Sequence, residues 1–593
     1  MRGARPVESR RRRLRGAARA CALALLAAPL GAAAQGASAT ALERVEVIGT
    51  SPLPGQGVDR NLLPYSTQTM RRGRIDQAEP DNLLDFMNRN LPGVQTSDVQ
   101  GSPFQGDLTY RGYRASPLVG AAQGLSVYLD GVRVNEPFGD VVHWDMVPEF
   151  SIDTLTLVPG ANPAFGLNTL GGAISITTAT GLTAPGTRAE VSAGSFGRRR
   201  LDLGHGARHA DGWHSYLAGS VFAEEGWRDE SPGRLRHVLA KAGRHAGPTD
   251  WDLGLLAGRS RLVGNGLLPA YGLEEDDAGI RRVPDLLASR REAVYTHPDI
   301  TTNRLAQLTL NVRHALDDAG ASVSALAYLR HARRNTVSGD EAEEPEPGLD
   351  ASFNTTATRQ RSGGAAVSVA AGPGTHQWQV GATLDASRVR FEQLEQEGFF
   401  TPGRGVAAGE EGPELDARVA GRTLAVGVYA TDVWQVAPRT HVTGTLRYNH
   451  ARVENQLTSV DDETDEVRER AAETFRYDSV NPALGIAHRL AGGPTLFANV
   501  ARNNRVPTVI ELGCADPAEP CRLPAGLQAD PFLEQVVSTT AEAGLRWAPA
   551  SGLRASVAAY RTDNRDDIPF RSVSVSGQRG FFQNFPRTRH EGL

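Results

Sequence analysis

Val158-Pro159-Gly160-Ala161-Asn162-Pro163-Ala164-Phe165-Gly166-Leu167-Asn168-Thr169-Leu170-Gly171-Gly172-Ala173-Ile174-Ser175-Ile176-Thr177-Thr178 decides how this chain reads. It is the end of one strand, a turn at Pro159-Gly160, a glycine-punctuated loop, and a second strand alternating in period two from Ala173 to Thr177. The glycines at 160, 166, 171 and 172 suit positive φ or close backbone approach, and Gly171-Gly172 would let a sheet pack tightly on a neighbour. Working outward, Ile152 to Val158 and Leu125 to Leu129 read as strands. Asp130-Gly131 is a strong tight-turn pair, and Val132-Arg133-Val134 returns from it. Thr109-Tyr110-Arg111-Gly112-Tyr113 reads as one short strand. Ile75 to Asn90 reads as one helix, with Leu83, Leu84, Met87 and Leu91 at helical spacing, Asp81 after Pro80 as a start signal and Pro92-Gly93-Val94 as its end.

The first 34 residues are a targeting segment: an arginine-dense start, an apolar run from Ala20 to Leu30, and Ala32-Ala33-Ala34 as a cleavage site. They carry eight Arg and one Glu, so removing them moves the formal charge from −5 to −12. An acidic exported protein is a poor nucleic-acid binder. Residues 35–55 follow as an N-terminal segment. Within it Arg44-Val45-Glu46-Val47-Ile48-Gly49-Thr50 is a β-prone strip, and Ser51-Pro52-Leu53-Pro54-Gly55 breaks regular structure behind it. Such a strip finds no local partner and suits strand addition to another protein's sheet; the competing reading is a first strand of the domain that follows.

From about Arg188 the texture changes to repeated strands, among them Trp213 to Phe222, Arg304 to Val312, Thr423 to Trp434 and Ala541 to Trp547, many alternating apolar with small or polar residues. Short turns at 317–320, 438–440 and 549–552 alternate with long polar loops at 331–358, 392–420, 454–476 and 508–535. A membrane β-barrel shows this pattern, and it needs no apolar run of about 20 residues, of which none occurs inside the chain. After processing, Cys514 and Cys521 remain, and an oxidising compartment favours a local disulfide. The acidic run 461–466 offers oxygen ligands for Ca²⁺ but reads better as a solvated loop. The 14 histidines show no paired spacing that promises a metal site. No nucleophile elbow, phosphate loop or zinc-protease signature stands out, so neither catalysis nor a cofactor is expected.

The ordered pieces from Val45 to Thr178, followed by alternating strands, resemble a TonB-dependent outer-membrane receptor. That resemblance implies a mainly β chain: an α+β plug domain at 56–180 inside an antiparallel transmembrane barrel at 181–593. It places the protein in the outer membrane of a Gram-negative bacterium. Its partners would be the TonB energy-transducing protein, a small extracellular ligand (by default a ferric siderophore), outer-membrane lipids and the barrel assembly machinery. Val45, Glu46, Val47, Ile48 and Gly49 match the TonB-contacting strip. Arg111, Gly112, Asp130, Gly131, Gly160, Gly166, Gly171 and Gly172 fall on the plug motifs. A plug that must form and loosen in water needs a polar interface, for which Arg111 and Glu542 are a candidate ion pair, either being equally readable as a solvated side chain. Family barrels have about 22 strands, whereas 181–593 holds roughly 14–17. The chain ends at His590-Glu591-Gly592-Leu593, where a further strand would start, and so reads as truncated. A passive porin-like channel and a secreted carbohydrate-active β-protein are the rival readings.

Overall fold

The computed structural model describes residues 47–593 apart from 49–50, 54–56, 99–101, 265–271, 277–278, 284–295, 317–319, 373, 403–404, 461–466, 516–520, 523–532, 549–552 and 573–578. Short strands and two helices occupy the part up to Thr178, and long antiparallel strands the part beyond it.

The strip forms β1 (Val47–Ile48), which pairs antiparallel with β2 (Val58–Asp59). The expectation of no local partner is thereby corrected: the strip pairs with the segment just after the breaker residues. Next come β3 (Gln68–Arg71), β4 (Val94–Ser97), β5 (Asp107–Tyr110), β6 (Tyr113–Ala115), β7 (Leu125–Leu129), β8 (Val132–Arg133), β9 (Ile152–Pro159) and β10 (Gly172–Thr178). A five-stranded sheet runs β3-β9-β10-β7-β8, with β10 parallel to β7 and antiparallel to β9, beside a small sheet of β4-β5-β6. The residues read as one strand at 109–113 are instead split: Thr109 and Tyr110 end β5, Arg111 and Gly112 turn, and Tyr113 starts β6. Arg111 (φ 53°) and Gly112 (φ 82°) both take left-handed backbone there, which suits a tight hairpin turn.

The single helix expected at 75–90 is two, α1 (Arg72–Ala78) and α2 (Leu83–Asn90). Glu79 turns left-handed at φ 41°, and Pro80 lacks the N–H a continuous helix needs. Asn82 rather than Asp81 caps α2, its side chain accepting from the Asp85 N–H at 2.9 Å. Leu83, Leu84, Phe86 and Met87 bury one face of α2 in the plug core.

The wall follows as β11 (Gly186–Ala193), β12 (Arg199–Arg208), β13 (Trp213–Glu224), β14 (Gly233–Ala246) and β15 (Thr249–Gly264). A detached hairpin, β16 (Gly272–Asp276) and β17 (Gly279–Val283), precedes β18 (Asp299–Ala315), β19 (Ser322–Glu346), β20 (Leu349–Ala371), β21 (His376–Phe400), β22 (Val406–Ala408), β23 (Glu414–Ala437), β24 (Thr440–Val460) and β25 (Val467–Glu469). Then come β26 (Glu473–Arg489), β27 (Thr495–Arg505), the short helix α3 (Val509–Leu512), β28 (Cys521–Arg522), β29 (Val536–Trp547), β30 (Ala555–Asp567), β31 (Phe570–Ser572), β32 (Arg579–Phe582) and β33 (Phe585–Gly592). All but β16, β17, β28, β31 and β32 join one 18-stranded sheet, of which β22 and β25 are three-residue pieces. Among the described residues its terminal strands, β11 and β33, do not pair with each other. The residues just before Leu593 already lie in β33, paired with β30, rather than at the start of a further strand.

Side chains alternate across this wall. In β13, Leu217 and Val221 face out and are exposed, while Tyr216, Ala218 and Phe222 face in and are buried. Trp213, Trp378, Trp434 and Trp547 are exposed at the short-turn ends of their strands, the aromatic girdle of a membrane barrel. The segments expected as loops at 331–358, 392–420 and 454–476 are largely strand, because β19, β20, β21, β23 and β24 run on past the apolar band. Out there both faces are polar, so the period-two signal disappears although the ladder continues.

Candidate functional site

The plug touches the inner face of the wall along two polar arcs. On the arc β27–β33, buried Asn503 donates to the carbonyls of Gly166 at 2.8 Å and Thr169 at 3.0 Å. Arg546 donates to the carbonyls of Tyr65, Asn61 and Leu63 at 2.6, 2.8 and 2.5 Å. Arg111 forks onto Glu542 at 2.9 and 3.3 Å, lies 4.2 Å from the Tyr560 ring centre, and is 12% exposed against 1% for the glutamate. On the arc β12–β18, Arg200 meets Glu149 at 3.0 Å, Lys241 meets Asp130 at 3.0 Å, and Asn303 donates to Asp145 at 2.9 Å.

Between these arcs the wall of β19–β24 also touches the plug, at Arg330 and Arg334, and beside these contacts leaves a cavity of about 180 Å³. Its lining carries four arginines, Arg133, Arg330, Arg447 and Arg452, the last paired with Glu454 at 3.4 Å, and two carboxylates, Asp140 and Asp385. Arg133 pairs with Asp140. Tyr328 donates to Asp385 at 2.7 Å. Arg447 is satisfied by Thr383 at 2.7 Å and Asn449 at 2.6 Å, neither of them a carboxylate. Arg330 donates to the Val134 carbonyl at 3.0 Å and faces Glu136 at 3.6 Å. Burial alone would raise the Glu136 carboxyl, but the His143 imidazole and the Arg330 and Arg334 guanidiniums outweigh it and hold it down at about 2. A polar lumen with positive charge not fully offset suits an anionic or chelated solute.

The residues just after the strip line this cavity near the short-turn end of β19. Pro52 and Leu53 line it, and Leu53 is buried against Val132 and Leu326. Gln379 donates to the Ser51 hydroxyl at 3.2 Å.

The sequence-derived residues fall as follows. Val47 and Ile48 form β1, while Val45, Glu46 and Gly49 lie outside the described residues. Arg111 and Gly112 make the β5–β6 turn against the wall, where a side chain on Gly112 would strike His590. Asp130 accepts from the backbone and hydroxyl of Thr178 at 2.8 and 2.7 Å, and Gly131 sits beside the Pro52 carbonyl. Gly160 faces Thr540 and Gly166 faces Arg447. Gly171 leaves room for the Tyr113 ring, which a Cβ would overlap at 2.1 Å, and Gly172 faces the Val158 carbonyl. Cys514 is disulfide-bonded, while the Cys521 side chain and the acidic run 461–466 lie outside the described residues.

Two cavity-lining residues escaped sequence reading. Tyr328 and Arg330 sat at a loop boundary, and only the alternation Leu326, Tyr328, Arg330 points them inward. The expectation of no clustered histidines is also corrected. His214, His245 and Asp252 gather within 4.8 Å on three adjacent strands, because glycine at 243 leaves the gap between His214 and Asp252 open.

Two family models match this chain: the TonB-dependent receptor plug domain over residues 59–173, and the TonB-dependent receptor-like β-barrel over 250–593. Among solved structures it is similar to the ferric-catecholate import receptor Fiu of E. coli K12, at 16% identity and TM-score 0.68, covering 91% of this chain and 79% of that one. It is similar to the ferric yersiniabactin uptake receptor FyuA of Yersinia pestis, at 16% identity and TM-score 0.62, covering 85% and 73%. The copper transporter OprC matches at 17% identity and TM-score 0.65, covering 88% and 74%. At such identities the structures speak for the fold alone. Plug, girdled wall and both family models agree: the chain belongs to the TonB-dependent receptors, β-barrel proteins of the Gram-negative outer membrane.

Proposed function

We propose that this receptor binds a scarce metal chelate, by default a ferric siderophore, and imports it with work transmitted from the inner membrane by TonB. The observation that carries the reading is the continuity from the strip through Ser51–Leu53 to the floor of the cavity. Residues 45–49 engage TonB as an added strand, with residues 1–34 removed on export, 35–55 reaching into the periplasm, 56–180 acting as plug and 181–593 as wall. A pull on the strip first unpairs the two-residue ladder of β1 and β2. It then draws Pro52 and Leu53 from their seat on Val132 and Leu326. The floor of the cavity opens while the two polar arcs still hold the plug.

No bond of the cargo need break: the residues bind, screen and release. Arg133, Arg330 and Arg447 favour anionic ligand groups, and the plug glycines permit the close packing that seals the lumen at rest. Because strand addition works through backbone hydrogen bonds, Val47→Pro removes a donor that Val47→Ala keeps. Val47→Pro should abolish uptake of a radiolabelled ferric chelate by whole cells while surface binding survives. Equal loss of both would sink the proposal.

A further inference from the structure

The outer face of the wall carries a row of arginines fixed by strand register. Arg236 lies opposite Arg259, Arg259 opposite Arg304, Arg304 opposite Arg333, Arg333 opposite Arg359, and Arg359 opposite Arg390. The row crosses six adjacent strands, β14, β15, β18, β19, β20 and β21, and every member is exposed. A second row begins below it: Arg361 faces Arg388, which faces Arg422. Recesses open between these side chains, the larger bounded by Arg333, Arg359, Arg361, Arg388, Arg390 and Arg422.

Like charges directly opposite one another destabilise a sheet. The barrel answers this elsewhere. On β30 and β33, Asp563 lies within 2.9, 2.7 and 3.0 Å of outward-facing Arg561, Arg587 and Arg589. At the far margin of the belt Glu454 accepts from Arg422 at 3.2 Å. Within the six-arginine row, among the described residues, no carboxylate plays that part; the nearest polar contact is Arg333 to the His331 ring at 3.1 Å. Among the described residues the row therefore keeps its positive charge, and an anion from outside the chain can offset it.

The height of the row says where. On β21 the outward residues run Trp378, Val380, Ala382, Leu384, Ala386, Arg388 and Arg390. Ten residues from the girdle at Trp378 to Arg388, at about 3.3 Å each and a tilt of about 40°, rise roughly 25 Å, the height of the apolar band of such barrels. On β21 the arginines therefore begin where hydrocarbon ends, on the side where the strands run on beyond the membrane. We propose that this belt binds the phosphate groups of the outer-leaflet glycolipid, several guanidinium forks gripping each phosphorylated headgroup. It is a lipid site on the outside of the wall, separate from the lumen and independent of what the receptor imports.

The test is equilibrium binding of the full chain, purified in non-ionic detergent, to diphosphoryl lipid A and to the same lipid stripped of phosphate. The proposal expects at least about tenfold tighter binding of the phosphorylated form, with the preference shrinking as salt screens it. Arg304→Gln/Arg333→Gln/Arg359→Gln/Arg390→Gln should lose that preference, while Arg587→Gln/Arg589→Gln, on the self-neutralised side, should keep it. Heat-modifiable migration on a gel reports whether each variant folds. If the fourfold variant does not, Arg304→Gln/Arg333→Gln and Arg359→Gln/Arg390→Gln, together with the wild-type preference, decide. Inorganic phosphate alone should compete only weakly; saturation by free phosphate at equal strength would overturn the lipid assignment. So would equal binding of the dephosphorylated lipid, or an undiminished preference in the folded belt variants.

Discussion

Two stretches of the same wall treat the plug differently. Along β27–β30 the contact is dense and buried: Asn503, Arg546 and Glu542 each hold plug groups directly. Along β19–β24 the wall leaves a cavity beside the contacts of Arg330 and Arg334, and Pro52 and Leu53, next to the N-terminal strip, line it. Buried hydrogen-bonded charge is costly to break one partner at a time, whereas a short seated segment with one apolar anchor is easily withdrawn. The contrast argues for a plug that stays fixed on one side while a passage opens on the other.

The largest effect should come from breaking the fixed side. Glu542→Ala leaves Arg111 buried without its carboxylate and should cost about 3–5 kcal/mol, read as faster protease cutting of the plug or a lower unfolding midpoint. Arg111→Ala/Glu542→Ala should recover part of that loss; simple additivity would remove the pair from the account. Next is acid. Glu136 sits at about 2 against an ordinary 4.5. Its stabilising contribution is therefore fully present above about 4.5 and disappears as pH falls toward about 2, at most about 3 kcal/mol. Glu136→Gln should flatten that part of an acid titration, and an unchanged curve would contradict it. Asn503→Ala, which removes the donor to the plug carbonyls of Asn162, Gly166 and Thr169, should cost about 2 kcal/mol in the same unfolding assay. On the open side the effect moves from stability to affinity: Arg447→Gln should weaken binding of an anionic ferric chelate about tenfold, while a tenfold loss with a neutral ligand too would argue against a charge role.

The sequence made the plug and the membrane-level strands readable because both carry strong local signals: Asp130-Gly131, the glycine loop from 160 to 172, and in–out alternation as in Tyr216 to Phe222. It misplaced whatever depends on distant partners. The 75–90 helix looked continuous because its apolar spacing crosses Pro80 unbroken. Arg111-Gly112 looked like strand because only the φ values show the turn. The upper halves of β19 and β20 looked like loop because a polar lumen and a polar exterior erase the period. Arg111 and Glu542 meet across 431 residues, so the sequence could suggest a partner but not a geometry. The arginine belt was invisible for the same reason: its members are far apart in the chain and align only through register.

The most direct measurement joins the strip to the passage. Leu53 and Leu326 pack together at the cavity floor. A Leu53→Cys/Leu326→Cys receptor can be linked there by a short bifunctional thiol reagent while the strip itself stays free. Ferric chelate binding and uptake would then be measured in the same cells before and after linking. The account predicts that linked receptor binds as before but imports nothing, and that unlinked receptor does both. Import at the unlinked rate after complete linking would contradict the claim that withdrawing residues 51–53 opens the way.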